Sequence, residues 1–117
     1  MQFHEVKYDN AQPVDGYGPG FFRIAGKVID GAVLVTEDAA VSWRGPDDLA
    51  PLEALAGRID VLFYGTGAEV AHPPADLVAA LEALDIGIEA MASAPACRTY
   101  NVLVAEGRRI ALAALPV

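Results

Sequence analysis

Hydrophobic positions are arranged differently in the two halves of this chain. Over 3–8 apolar and polar residues alternate, the period of a short strand. The stretch 9–20 is rich in Gly, Pro and Asp and predicts an irregular loop. Two strands are expected over 22–29 and 32–36, joined at Asp30-Gly31, a two-residue hairpin signal of the type I′ kind. A further short strand over 40–44 carries Trp43, and Asp47 or Asp48 is placed to cap a short helix over 49–56 that Gly57 closes.

In the second half the apolar runs become continuous. Residues 59–64 are almost wholly apolar, which suits a strand covered on both faces, and the run ends in Gly65-Thr66-Gly67. A helix follows over 74–84, with Leu77, Leu81 and Leu84 on one stripe, then a strand over 87–91. Ser93 is a suitable N-cap for the next helix, and Pro95 fits its first turn, where a missing N–H costs nothing. Ala96, Tyr100, Leu103, Val104 and Gly107 lie on one stripe of that helix, which Gly107 ends, and Arg108-Arg109 suit the negative end of its dipole. A last strand is expected over 109–115. Strand, helix and strand with short returns imply a parallel, right-handed crossover.

That last helix carries an unusual density of polar groups near its start. Ala96-Cys97-Arg98-Thr99-Tyr100-Asn101, followed by Ala105-Glu106-Gly107-Arg108-Arg109, resembles a widespread family of small conserved domains of unknown function. That family includes mitochondrial respiratory complex I assembly factor 3 and the adipogenesis-associated Mth-domain protein. Upstream, the segments 17–26 and 31–35, Trp43 and Gly65-Thr66-Gly67 fall in the same order. The resemblance implies an α/β fold, a three-layer single domain over 1–117. A central mixed β-sheet with one antiparallel strand is flanked by helices, beside a β-hairpin-rich N-terminal half. It also implies protein partners, since its best-understood members act in complex assembly.

Composition narrows the function classes. Sixteen acidic residues against eight basic ones give a net charge of −8, and the basic ones are scattered, so a nucleic-acid partner is not expected. No apolar run approaches the roughly 18 residues of a membrane span. The N-terminus shows neither a signal pattern nor an Arg-rich transit peptide, so a bacterial, cytoplasmic location is expected; mitochondrial members would need a targeting extension. One cysteine forbids an internal disulfide and fits a reducing compartment.

Strands 59–64 and 87–91, if parallel, end at one edge of the sheet, and the polar helix starts there. Open α/β sheets bind ligands at that edge, and a helix N-terminus attracts anions. The candidate crevice comprises Gly65, Thr66, Gly67, Cys97, Arg98, Thr99 and Asn101. The plainer reading is that the glycines let the chain turn while Thr and Asn cap backbone groups. Gly65-Thr66-Gly67 lacks the Lys-Ser/Thr ending of a phosphate-binding loop, and Gly16 to Gly20 is no dinucleotide fingerprint. Cys97 beside Arg98 could have a lowered thiol pKa, but His4 and His72 fall outside the motifs, so burial is the simpler expectation. No metal-ligand spacing and no cofactor motif are present, and no catalytic residue is assigned. Glu106 suits an ion pair with Arg23 or Arg108. Tyr17, Phe21, Phe22 and Trp43 are expected in the core.

The reading is therefore a non-enzymatic protein-interaction or assembly module. A small-molecule or anion-binding protein or enzyme using the crevice is the alternative, and weak homo-oligomerisation through a sheet edge is a third.

Overall fold

Five of the eight strands among the described residues build one sheet, and the order in which they join it explains where the two longer helices lie. The computed structural model describes residues 12–117; the strand expected over 3–8, and His4 within it, lie outside the described residues. Strands β4 (Val33–Val35), β5 (Ala40–Ser42), β6 (Val61–Gly65), β7 (Gly87–Met91) and β8 (Ile110–Ala114) form a sheet of order β5-β4-β8-β6-β7. β6 runs parallel to both β7 and β8, whereas β4 is antiparallel to β8 and to β5. β4 is thus the one strand that opposes the rest, as the resemblance implied.

The chain steps outward from β6 to β7 through helix α2 (Ala75–Glu82), then back past β6 to β8 through α3 (Ser93–Ala105). Two right-handed crossovers running in opposite directions must place their helices on opposite faces. The core divides accordingly. Leu77 and Leu81 of α2 join Leu52, Leu62, Tyr64 and Trp43 on one face, together with the short α1 (Ala50–Glu53). Ala96, Tyr100 and Val104 of α3 join Phe63, Leu112, Phe22 and Ile24 on the other. β8 is buried at all five positions, since it is flanked by strands on both sides and covered on both faces.

The N-terminal half holds a second sheet of β1 (Val14–Gly18), β2 (Phe21–Ile24) and β3 (Lys27–Asp30), in that order and antiparallel. Two expectations are corrected here. Residues 14–18 are a strand rather than loop, because a two-residue turn at Pro19-Gly20 lets them pair with β2. The hairpin expected at Asp30-Gly31 lies instead at Ala25-Gly26, where Ile24 pairs with Lys27. Ala25 and Gly26 have φ of 49° and 84°, the double left-handed conformation of a type I′ turn. Asp15 fixes this turn by accepting the Gly26 N–H at 2.7 Å. Asp30-Gly31 is the point where the chain passes from the small sheet into β4.

Aromatic residues sort less uniformly than expected. Phe22 and Trp43 are buried, the latter edge-on to Tyr64 with its indole N–H donated to Asp48 O at 3.1 Å. Phe21 is half-buried and Tyr17 is exposed. The caps also differ from expectation. Leu49 holds the N-cap of α1 with no side-chain bond, so neither Asp47 nor Asp48 caps it. Gly107 ends α3 as expected: its N–H reaches Val104 O and that of Arg108 reaches Leu103 O, the paired bonds of a Schellman motif. Arg109 turns from the helix end to Gly57 O and to Asp60, which it meets at 3.3 Å. Glu106 takes part in neither of the ion pairs found among the described residues, Arg58–Asp38 and Arg109–Asp60.

Candidate functional site

Because α2 and α3 leave β6 and β7 on opposite faces, the C-terminal ends of these two strands form the switch point where open α/β sheets hold ligands. In this chain the switch point is stitched with internal hydrogen bonds. Ser93 does not cap α3: Ala92 occupies the N-cap position, and Ser93 is fully buried one residue further on. Its hydroxyl accepts the Gly67 N–H at 2.9 Å and donates to Leu115 O at 2.6 Å. Its own N–H donates to Gly67 O at 2.8 Å, and Leu115 N–H donates to Gly65 O at 2.9 Å. One serine therefore ties the loop after β6, the start of α3 and the exit of β8. Gly65 is what allows this. A Cβ built there would lie 2.7 Å from Ser93 Oγ and 3.0 Å from Ser93 Cα, too close for any side chain.

Thr66 spends its hydroxyl inside the same loop. It donates to Glu69 O at 2.6 Å and accepts the Ala71 N–H at 3.2 Å. Its backbone N–H continues the ladder to Met91 O at 2.9 Å.

The polar residues of α3 point in three directions. Cys97 faces the core, where burial raises its thiol to about 12 even though the Arg98 charge acts to lower it. Such a thiol is protonated at neutral pH and is a poor nucleophile. Asn101 lies further down the helix and makes a two-point contact with β1: its Oδ1 accepts the Val14 N–H at 2.9 Å and its Nδ2 donates to Val14 O at 2.8 Å. A side-chain amide here completes the pairing of an edge strand. Arg98 is exposed, and Thr99 turns toward β7, with Oγ1 3.9 Å from Met91 Sδ.

Of the seven residues singled out in the sequence, the structure brings Gly65, Thr66 and Gly67 together at the switch point and Arg98 and Thr99 together on the outer flank of α3. Cys97 and Asn101 join neither group. Sequence reasoning missed Val102 and Leu103. With Arg98 and Thr99 they line an open hollow of about 290 Å³. Val102 is a large apolar side chain left 58% exposed, and its i, i+4 spacing from Arg98 was a signal available in the sequence. Tyr100, beside them in the chain, is buried with no hydrogen-bond partner for its hydroxyl among the described residues. Burial raises its pKa, and the charges of Glu37 and Asp38 act in the same direction. Among the described residues no cluster of His, Cys, Asp and Glu is arranged to hold a metal ion, and no helix is long and apolar enough to cross a membrane.

Residues 14–115 match the model of the family described as "Protein of unknown function (DUF498/DUF598)". The chain belongs to this family. It is 53% identical over its full length to an uncharacterised protein of Rhodobacter capsulatus, covering 94% of that protein. It is 30% identical to the zebrafish NADH dehydrogenase [ubiquinone] 1 alpha subcomplex assembly factor 3, over 86% of this chain and 62% of that one. The chain thus spans under two thirds of the length of that assembly factor. Among solved structures, one described as an outer membrane protein from Bartonella henselae superposes with a TM-score of 0.83 at 30% identity, covering 95% of this chain and 99% of that one. The family and the fold implied by the α3 motif are those found.

Proposed function

We propose that this member of the family is a non-enzymatic protein-interaction module that assists the assembly of a larger complex, with respiratory complex I as the first candidate. The observation that carries this reading is the likeness to a complex I assembly factor over 86% of the chain. The site supports it in its own way. The hydroxyls at the switch point, where a small ligand would bind, are engaged by Glu69, Ala71, Gly67 and Leu115, while the outer flank of α3 leaves an arginine and a valine exposed. The contact residues we assign are Arg98 and Thr99, with Val102 and Leu103. Gly65, Thr66, Gly67, Cys97 and Asn101 we assign to holding α3 in place. The compartment we propose is the cytoplasm; with one cysteine the described fold holds without an internal disulfide, which fits a reducing compartment.

The test is deletion of the gene in the organism that encodes it, with complex I followed on native gels and by NADH:quinone activity. Loss of assembled complex, restored by the wild-type gene, is expected. Normal assembly in the deletion strain overturns the complex I reading.

A further inference from the structure

Among the described residues, β7 is a five-residue sheet edge with no strand on its outer side. At the other end of its sheet, β5 is only three residues long and lies beside β3. In the small sheet the Val14 end of β1 is engaged by Asn101. β7 runs five residues without proline, pairs on one side with β6, and carries Glu89 as its one charge. Natural edges are usually shortened, interrupted or covered, so a bare edge of this length invites another strand.

What stands beside that edge selects the strand. Glu89 is in register with Phe63, which with Met91 lies on the α3 face of the sheet. Thr99 meets Met91, so the hollow formed by Arg98, Thr99, Val102 and Leu103 borders β7 on this face. Arg98 has no carboxylate at ion-pair distance among the described residues. Arg98 and Val102 are four residues apart, roughly 6 Å along a helix, and alternate side chains of a strand are spaced by roughly 6.6 Å. One face of an extended peptide therefore matches one flank of α3.

We propose that β7 accepts an extended segment of another protein as a sixth strand, antiparallel to β7. That segment carries a carboxylate at the level of Arg98 and an apolar side chain two residues later over Val102 and Leu103. The inference rests on the interaction reading above and specifies its contact. A second copy of this chain is the poorer occupant, because antiparallel pairing of two complete β7 strands sets Glu89 opposite Glu89.

The probe is a pair of seven-residue peptides that alternate valine and threonine, one bearing glutamate two positions before the central valine and the other lysine. Each is titrated to millimolar concentration into the labelled full-length chain and followed by backbone amide shifts and hydrogen exchange. The glutamate peptide is expected to shift and protect amides of Gly87–Met91 and to bind at least tenfold more tightly than the lysine peptide. The Arg98→Glu chain, which changes an exposed side chain and is expected to fold, reverses that order. No effect on β7 from either peptide, or a preference unmoved by Arg98→Glu, overturns the proposal. So does a concentration-dependent dimer that protects the same amides, or protection in the free chain that is lost on deleting residues 1–11. Arg98→Glu that fully restores complex I in the deletion strain also overturns it, while leaving the assembly reading intact.

Discussion

Gly65 and Ser93 are matched: the serine hydroxyl occupies the space that a side chain on the strand would need, 2.7 Å from the missing Cβ. Gly65→Ala is expected to destabilise by about 2–3 kcal/mol, because Ser93 Cα as well as the hydroxyl would have to move. Ser93→Ala strands the Gly67 N–H and Leu115 C=O and should cost a similar amount, about 2–3 kcal/mol. Denaturant unfolding of both single variants and the double variant checks the relationship. The double variant should be less destabilised than the two losses added together, because the alanine at 93 relieves part of the clash.

Asn101 serves as a backbone substitute for β1. Asn101→Ala removes both bonds to Val14 and is expected to cost about 2 kcal/mol. Asn101→Asp keeps the acceptor for the Val14 N–H but turns a carboxylate oxygen toward Val14 O, so it should be no better than alanine. Hydrogen exchange should show faster exchange in β1 and β2 while β6 and β8 keep their protection.

Ala25 holds a left-handed φ of 49° that non-glycine residues adopt reluctantly, and asparagine tolerates best. Ala25→Asn makes the turn Asn-Gly on an exposed surface and is expected to raise stability by about 0.5–1 kcal/mol, read as an increase in Tm. A fall would mean the turn is not of the I′ kind.

The Tyr100 hydroxyl is buried without a partner among the described residues, a cost with no return in bonding. Tyr100→Phe retains the ring and should be neutral or stabilising by up to about 1 kcal/mol, in contrast to Tyr100→Ala, which opens a large cavity in the core.

Alkaline pH should unfold this protein through its buried acids. The Cys97 thiol rises on folding from 9.0 to about 12, and Tyr64 and Tyr100 are displaced upward too. A raised pKa means the unfolded chain releases its proton first, so the stabilisation is complete below about pH 9 and is lost as pH climbs toward 12. For one such group the slope within that window is about 1.4 kcal/mol per pH unit. Tm measured from pH 8 to 10.5 should fall more gently for Cys97→Ala than for the wild type, though from a lower starting value.

Periodicity located β6, β7, α3 and β8 to within two residues because each is long enough to show its period and is bounded by Gly, Pro or Ser. It misplaced the hairpin because Ala25-Gly26 and Asp30-Gly31 each put a glycine after a short apolar run. The bond that holds the Ala25-Gly26 turn comes from Asp15, eleven residues before Gly26 and silent in any local pattern. The site was legible as a cluster of residue types but not as a geometry. Ser93 reads as a cap, yet its partners are Gly67 and Leu115; Asn101 reads as a ligand group, yet its partner is Val14, 87 residues away. Val102 lies off the stripe of Ala96, Tyr100 and Val104, and the packing of that stripe against β8 and β6 leaves it outside.

The position of β8 also bears on how the chain is made. Residues 110–114 are inserted between β4 and β6, and without them β4 with β5 and β6 with β7 are two separate pairs that share no ladder. Until residues 110–114 are in place, neither pair has a partner for its inner edge. The sheet is complete only once its most buried strand has been added, so a chain cut before Ile110 lacks the one strand that joins its two halves.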